Sequence, residues 1–398
     1  MAMFLFAVSI SMIGLVLPEV TKEFQVSVSK TGIVTAVQNG GGMIALALCG
    51  HLADRFGKLK VITGLFTAMT AALLGCFMIY GFPGFVLTVM VLGLAASALN
   101  ACISAYLADL FPERRDYYIS LAGVLFGLGS VLGPVYVGSV GKLAGGWRNL
   151  FGAVGIAGGI TLLLFILLAG WRKQPGTEPA PVKENKKQDV RESLLKQRRL
   201  WFYGVIGFLY MAHSSSFMAW IPTCLAAKYP ADLTMGSRVM TVYWLSILAG
   251  RILSTWKADK LTFNRFMLWS NGIGGLGMLL AICTDGWALT VVYGVVGITT
   301  GAVFQVCLAG TCKEFAHISG RASSMVALAA SIGGTLSCYI TGLIAQSLGF
   351  TAVLGFLGAL LLLIVPIILF NQHKGQQALP VVCRRYDNEN GSCGYRDG

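Results

Sequence analysis

The chain has 398 residues, of which 56% are hydrophobic and only 12% are charged; its mean hydropathy is +0.72 and its formal net charge is +13. Soluble domains carry about 25% charged residues, so this composition excludes an ordinary soluble globular protein and indicates a protein of the lipid bilayer. The basic residues lie mostly between hydrophobic segments, which favours a role in membrane topology over nucleic-acid binding.

Twelve apolar segments are each long enough, at about 20 residues, to cross a bilayer. Six precede a long polar stretch, at residues 2–20, 31–53, 60–80, 85–109, 118–142 and 149–170. Six follow it, at residues 201–225, 237–256, 264–283, 288–311, 322–347 and 351–370. The first segment is too long for the apolar core of a cleavable signal peptide and is predicted to be helix 1. The pattern predicts an all-α membrane protein with twelve transmembrane helices in two six-helix bundles.

This segmentation predicts four regions. They are an N-terminal bundle at 1–170, a cytosolic linker at 171–199, a C-terminal bundle at 200–371 and a cytosolic tail at 372–398. The linker mixes proline with many charged residues and is predicted to be a solvated connection. The tail is polar and rich in glycine, so it is predicted to be disordered.

Lysine and arginine are distributed asymmetrically between the two sides of the membrane. With the N-terminus inside, the interior connections and the tail hold 23 of the 30 basic residues, the exterior connections hold 6, and Arg251 lies within a segment. The positive-inside rule therefore predicts that both termini are cytoplasmic. We expect a multi-pass protein of the plasma (inner) membrane.

An internal repeat relates the two bundles. Segments 5 and 11 match at a separation of 204 residues. The matching pairs are Ser120 with Ser324, Gly129 with Gly333, and Gly138 with Gly342. Twelve segments in two related groups of six are typical of a transporter.

The connection between segments 2 and 3 carries a specific motif. Residues 50–60 read Gly-His-Leu-Ala-Asp-Arg-Phe-Gly-Lys-Leu-Lys. This resembles the loop 2–3 signature of the major facilitator superfamily, G-x-L-a-D-r-x-G-r-k. The resemblance implies that the two bundles give alternating access to a central site and that this motif stabilises one conformation. The motif residues are Gly50, Asp54, Arg55, Gly57 and Lys58.

Segment 5 carries a glycine-rich face that includes Gly133 and Pro134. Glycine allows close helix packing, and proline weakens the local hydrogen-bond ladder and favours a bend. The segment looks like the Gly-Pro motif of many members of this superfamily. Val137 stands where antiporters of the family carry a glycine, so the match to antiporters is incomplete.

A narrower resemblance is to the fucose permease-like, sugar-transporting branch. It rests on Asn100 with residues 107–115, on Trp220-Ile221-Pro222-Thr223, and on Tyr243-Trp244 with Gly250-Arg251. Two departures concern proton coupling. Ser97-Ala98 stands where members often carry an acidic residue, and Gly123 stands where they often carry a histidine.

Polar residues near the middle of the segments are the predicted substrate-binding residues, because in this architecture the site lies at the bilayer midplane and polar groups there should face the interior. The set comprises Gln38, Asn39, Asn100, Tyr210, His213, Tyr243, Trp244, Gln305 and Tyr339. Serines of the same depth, Ser214, Ser215 and Ser331, are weaker predictions since a serine in a membrane helix usually bonds its own backbone. Interhelical hydrogen bonds explain the amides equally well.

No Asp or Glu is clearly at the midplane. If transport is coupled to a proton, Glu19 at the outer end of segment 1 or His213, which titrates in the useful range, is predicted to carry it. Sodium is the other coupling ion considered.

The predicted function is secondary active transport of a small organic solute, a sugar or a related polar metabolite. The alternative is a drug or metabolite efflux antiporter, and a third interpretation is a solute sensor that does not transport. No nucleotide, hydrolase or metal-ligand motif occurs, so we predict no enzyme activity, cofactor, metal or nucleic-acid partner. The expected partners are the solute and the bilayer, and a monomer suffices.

Overall fold

The computed structural model describes residues 1–141, 145–171, 197–230, 232, 234–256, 262–315 and 318–377. Within these residues the regular structure is helical and contains no strand. The N-terminal half contains α1 (Ala2–Glu23), α2 (Val28–Phe56), α3 (Lys58–Met78), α4 (Phe82–Leu110), α5 (Arg115–Val140) and α6 (Trp147–Trp171). The C-terminal half contains α7 (Arg198–Lys228), α8 (Met235–Trp256), α9 (Phe263–Leu280), α10 (Gly286–Thr300), α11 (Val303–Glu314), α12 (Ser319–Ser347), α13 (Phe350–Leu362) and α14 (Ile364–Gln377).

These helices form twelve spans, which confirms the predicted fold class. Two spans that the sequence suggested as continuous are divided: α10 and α11 are separated by Gly301 and Ala302, and α13 and α14 by Leu363. Nine of the described spans are long and apolar enough to cross a membrane by length and composition. Among the others, α7 carries His213 and three consecutive serines, and it lies inside the bundle rather than against lipid.

Each half has its own hydrophobic core. One core is built from residues between Met3 and Val154, and the other from residues between Leu200 and Ile368. In the first half α1 packs on α5, α2 on α4, and α3 on both α4 and α6; the second half repeats these pairings as α7 on α12, α8 on α10, and α9 on α10 and α13. The two halves are therefore the same arrangement built twice.

Matching glycines produce matching helix contacts in the two halves. A methyl group at Gly129 would lie 2.3 Å from the carbonyl oxygen of Phe4, and one at Gly333 would lie 2.3 Å from that of Phe208. The two glycines are 204 residues apart, and so are the two phenylalanines whose carbonyl oxygens they contact. Since no larger residue fits either position, the sequence repeat reflects a shared packing requirement.

The two halves meet through three helix pairs: α2 with α12, α5 with α8, and α1 with α7. We call the end of the molecule that contains Met1 and Gln377 the terminal end, and the end that contains Phe24 and Gly349 the distal end. Helix α14 continues to Gln377, past the predicted boundary of the tail at residue 371. The predicted linker at 172–196 and the tail at 378–398 lie outside the described residues.

Ion pairs and hydrogen bonds join the helix ends at the distal end of each half. In the first half, Arg148 forms an ion pair with Glu23 and donates to the carbonyl oxygen of Ile79, with distances of 3.4 Å from Nε and 3.2 Å from Nη2. In the second half, Lys228 lies 2.6 Å from the Asp285 carboxylate, which also accepts from Tyr229 Oη at 2.9 Å. These hydrogen bonds from Lys228 and Tyr229 hold the pKa of Asp285 below its usual range.

Candidate substrate site

A cavity of about 300 Å³ lies between the two halves near the middle of the spans. Its lining comes from α1, α2 and α4 of the first half and from α7, α11 and α12 of the second. The lining residues are Ile10, Gly14, Thr35, Gln38, Asn39, Gly42, Gly93, Ser97, Met211, Ser215, Met218, Ala219, Phe304, Ala327, Ala330, Ser331 and Gly334. Both halves therefore contribute to one cavity.

Helical periodicity places these side chains in the cavity. On α2, residues 35, 38, 39 and 42 recur at the spacing of a single helix face, and on α12 residues 327, 330, 331 and 334 do the same. Residues 211, 215, 218 and 219 form the corresponding face of α7. Each helix thus presents one continuous stripe to the solute space.

The cavity lining is mostly apolar, its polar side chains are amides and hydroxyls, and it carries no charged residue within the described part of the chain. Asn39 Nδ2 donates to the carbonyl oxygen of Thr35 at 3.0 Å and approaches Cys338 Sγ at 3.6 Å, so its position is fixed by the protein. Ser331 Oγ donates to the carbonyl oxygen of Ala327 at 3.0 Å. By contrast, the side chains of Gln38, Ser97 and Ser215 form no hydrogen bond with any described residue, and they are the groups available to a solute.

The predicted substrate-binding residues separate into different places. Gln38 and Asn39 line the cavity. Tyr210 and Tyr243 are buried in the core of the second half, Trp244 packs edge-on to Phe126 at the contact between α5 and α8, and Gln305 neighbours the cavity residue Phe304. Asn100 and Tyr339 are exposed and are not among the residues that line the cavity, although Asn100 lies one turn from Ser97 on α4.

Gln305 contacts Arg251 instead. Arg251 Nε donates to the carbonyl oxygen of Gly301 at 3.2 Å. With its amide oriented so that both of its polar atoms meet a partner, Gln305 accepts from Arg251 Nη2 at 3.2 Å and donates to the same carbonyl at 3.3 Å. Because the helix is interrupted at Gly301, the carbonyl oxygen of this residue has no partner in a regular helical ladder. Arg251 and Gln305 satisfy it and so stabilise the break.

His213 is fully buried between α7 and α13 and does not line the cavity. Its Nδ1 lies 3.0 Å from the carbonyl oxygen of Leu357, so Nδ1 carries the proton and donates it. Its Nε2 has no hydrogen-bond partner among the described residues. Glu19 is exposed near the distal end of α1 and is likewise separate from the cavity.

The distal side of the cavity is closed by a seal that we define by Gly32 on α2, Trp220 on α7 and Gly342 on α12. Trp220 is fully buried and its Nε1 donates to the carbonyl oxygen of Cys338 at 3.0 Å. A methyl group at Gly32 or at Gly342 would lie 2.9 or 2.8 Å from Trp220 Cζ2. The absence of side chains at both glycines therefore lets the indole fill the seam between the halves.

Further contacts between the halves reinforce the distal seal. Gln346 Oε1 accepts from the backbone amide of Ser29 at 3.3 Å, which caps the start of α2 with a residue of the other half. A methyl group at Gly138 on α5 would lie 2.7 Å from Ser237 Cβ on α8. These contacts are on the distal side of the cavity, so the described conformation is closed at that end.

The loop 2–3 motif lies at the terminal end. Gly50 and Asp54 lie within α2, the side chain of Asp54 is outside the described part of the structure, and Arg55 is exposed. Gly57 separates α2 from α3 with a φ of +84°, a conformation that glycine adopts without strain. Lys58 forms an ion pair with Asp109 at the end of α4, which links the motif to the neighbouring helix.

Gly133 and Pro134 lie within α5 at its contact with α1. A methyl group at Gly133 would lie 1.9 Å from Ser11 Oγ and 3.2 Å from the carbonyl oxygen of Val8. Pro134 is internal to the helix. The pair thus permits the close approach of α5 to α1.

Several cavity residues are not among the residues predicted from the sequence: Thr35, Ser97, Met211, Met218 and Phe304. Thr35 lies one turn from Asn39, and Met211 and Met218 lie one turn on either side of Ser215. Helical spacing from the predicted polar residues is therefore the sequence signal that could have identified them as cavity residues. Methionine, alanine and phenylalanine are the ordinary residues of a membrane helix. Their role becomes visible only from the packing.

A twelve-span fold in two repeated halves, with a cavity between them, defines a membrane transporter. Residues 1–262 and 205–381 match the family description "Major Facilitator Superfamily". The chain belongs to this family, and it is a transporter rather than an enzyme.

Related proteins transport different solutes. The chain is 20% identical over 342 residues to the glucose/mannose transporter GlcP of Bacillus subtilis, an alignment that covers 83% of this chain and 82% of that one. It is 24% identical over 265 residues to the probable L-galactonate transporter of Escherichia coli, an alignment that covers 61% of this chain and 56% of that one. It is 23% identical over 320 residues to a class H tetracycline resistance protein of Pasteurella multocida, an alignment that covers 76% of each chain.

Solved structures share the fold. A bacterial homologue of the human lysosomal transporter Spinster, in an inward-facing and occupied conformation, superposes with a TM-score of 0.79 at 13% identity over 94% of this chain and 95% of that one. The nucleoside transporter NupG superposes with a TM-score of 0.76 at 14% identity, over 92% and 96%.

Proposed function

We propose that this transporter moves a small, uncharged, hydroxylated solute, a sugar or a related polar metabolite, by alternating access. The observation that supports this most directly is the cavity between the halves, whose polar lining consists of amides and hydroxyls only. A volume of about 300 Å³ is at the small end of the range for ligand sites, roughly 300–1,000 Å³. It suits a solute of monosaccharide size.

The chemistry of the available groups favours hydroxylated solutes. The Gln38 amide donates and accepts at once, as does each of the Ser97 and Ser215 hydroxyls, and a sugar hydroxyl needs both. Since these three side chains have no protein partner in the described chain, binding costs no internal hydrogen bond. The glucose/mannose transporter among the relatives is consistent with this class.

Efflux of an apolar drug or metabolite is the second candidate function. It is supported by Met211, Met218 and Phe304 in the cavity and by the tetracycline resistance protein among the relatives. Methionine adapts to varied apolar shapes, which suits broad substrate ranges. The polar wall on α2 and α4 favours the first candidate. A sensor without transport would need output elements, and the linker and tail that would supply them lie outside the described residues.

The orientation and cellular location belong to the same proposal. We place both termini in the cytoplasm and the protein, acting as a monomer, in the plasma membrane, because basic residues are concentrated in connections at the terminal end. The closed distal seal then corresponds to an inward-facing conformation. Return to the outward-facing state requires that seal to open.

We expect Gln38→Leu to reduce solute uptake by about five- to thirtyfold, because an apolar side chain leaves a hydroxyl of the bound solute without a hydrogen-bond partner, which costs about 1–2 kcal/mol. Uptake of radiolabelled glucose and related sugars into proteoliposomes checks this. Asn371→Leu is the matched control, since Asn371 is exposed on α14 and does not line the cavity. Equal uptake by the Gln38→Leu protein and the wild type would contradict the proposed site.

For proton coupling, we expect Glu19→Gln rather than His213→Gln to alter the dependence of uptake on an imposed pH gradient. Glu19 is exposed at the distal end, whereas His213 is enclosed and its Nδ1–H is committed to Leu357. Solute accumulation under a pH gradient is the measurement, with solute counterflow as the control for intact transport. Loss of coupling in the His213→Gln protein alone would reverse the assignment.

A further inference from the structure

The two halves line opposite walls of the cavity with different chemistry. The wall from the first half contains Thr35, Gln38, Asn39 and Ser97, with Ile10 as its single large apolar residue. The wall from the second half contains Met211, Met218, Phe304 and three alanines, with two serines. Hydrogen-bonding capacity is thus concentrated on one side and apolar contact area on the other.

The aromatic member of the apolar wall is held in a defined orientation. The Phe304 ring stacks on the Tyr210 ring with an interplanar angle of 7° and a centroid distance of 6.5 Å. Tyr210 is buried in the core of the second half and cannot follow a solute. Phe304 is the second residue of α11, directly after the interruption at Gly301 and Ala302 that Arg251 and Gln305 stabilise. The break in the span therefore sets where the ring faces the cavity.

The methionines extend this apolar surface along α7. Met211 and Met218 lie two turns apart, and both are half-buried in the cavity lining. Ser215 lies between them and is the only polar group of α7 in that lining. A thioether and an aromatic ring offer dispersion contacts but no strong hydrogen-bond donor.

We infer that the preferred solute is a neutral hydroxylated ring that also carries a flat apolar face or substituent, and that Phe304 and Met211 determine this preference. The inference rests on the proposed function and narrows its substrate class. The hydroxyl-bearing edge contacts Gln38 and Ser97, and the apolar part contacts Phe304 and the methionines. A fully polar solute leaves the second wall without complementary contacts, and a fully apolar solute leaves Gln38 unpaired.

Matched glucosides test the inference. Binding of D-glucose, methyl β-D-glucoside and phenyl β-D-glucoside to the purified full chain is measured by calorimetry, and uptake of each is followed in proteoliposomes. The phenyl glucoside is expected to bind about three- to tenfold more tightly than the methyl glucoside, the difference that an aromatic contact supplies. Phe304→Leu should remove the advantage of the phenyl glucoside over the methyl glucoside, whereas Gln38→Leu should weaken the binding of all three compounds.

Phe356→Leu is the control, because Phe356 packs at the edge of the same core but does not line the cavity. Equal affinity of the wild type for the methyl and phenyl glucosides would overturn the inference and leave the proposed function intact. So would a phenyl preference that survives in both the Phe304→Leu and the Met211→Gln proteins. If the protein bound lipophilic cations but neither glucose nor either glucoside, both the inference and the proposed function would be overturned, in favour of efflux.

Discussion

The Gly32→Val protein is expected to fold and to lose at least about four-fifths of its transport activity. A methyl group at position 32 would lie 2.9 Å from Trp220 Cζ2, 3.2 Å from the carbonyl oxygen of Cys338 and 3.5 Å from the Cα of Gly342, all of which belong to the other half. Overpacking of this kind costs about 1–3 kcal/mol. The cost applies only when the distal seal is closed, because only then does α2 meet α7 and α12. A cost of this size lowers the ratio of the closed to the open population by roughly five- to 150-fold.

The native thiol of Cys338 provides a direct readout of this seal. It lies one turn before Gly342 and is fully buried in the closed conformation. We expect it to react with a membrane-impermeant maleimide in the Gly32→Val protein and to remain unreactive in the wild type, with Cys338→Ser identifying the signal. Gly355→Val is the control, because Gly355 is also helical but a methyl group there would have no neighbouring atom within 4 Å. Wild-type transport by the Gly32→Val protein would show that the contact between the halves at this seal is not the gate.

The second large effect is expected at Arg148, whose replacement by alanine should destabilise the first half by about 2–4 kcal/mol. The guanidinium pairs with Glu23 at the end of α1 and donates to Ile79 after α3, while its own residue lies in the first turn of α6. It also lies 4.6 Å from the Trp147 ring centroid and 4.9 Å from that of Tyr80. One side chain therefore joins three helix ends.

Thermal unfolding in detergent checks this expectation, and a shift of this size lowers the melting temperature by roughly 5–15 °C. Arg148→Lys should recover only part of the loss, because lysine keeps the charge but lacks the planar fork that reaches Glu23 and Ile79 together. Arg238→Ala is the matched control in the second half. Arg238 pairs with Asp232 and lies 4.9 Å from the Trp287 ring, but Asp232 belongs to the same connection. An equal effect of the two alanine variants would refute the special role of Arg148.

The twelve spans could be predicted because each is a local property of the chain. A segment of about 20 apolar residues must form its backbone hydrogen bonds internally in lipid, so it becomes a helix whatever its neighbours do. The interruption of the tenth span was not predicted, because Gly301 and Ala302 look like any glycine and alanine in a membrane helix. Arg251 compensates for the break, and it comes from α8, 50 residues earlier in the sequence.

The site could be predicted in part. Gln38 and Asn39 stand out as mid-span amides, and the structure places both at the cavity. Tyr210 and Tyr243 lie at the same depth but are buried in the core of the second half, and Gln305 contacts Arg251. Asn100 and Tyr339 are exposed and are not among the residues that line the cavity. Depth along a helix can be read from the sequence, since it follows from the rise per residue. The direction in which a side chain points between neighbouring helices cannot be read from the sequence, because most of these helices are apolar on every side.

Residue type and spacing alone were sufficient to establish the class of protein, the number of spans, the repeat of two halves and the motif that identifies the family. Lipid and backbone geometry constrain these features directly. Only the packing of the two halves reveals which polar groups share a cavity, which wall is apolar, and that Gly32, Trp220 and Gly342 close its distal side. Those relations join residues separated by more than 100 positions, and they depend on how side chains interlock when the halves come together.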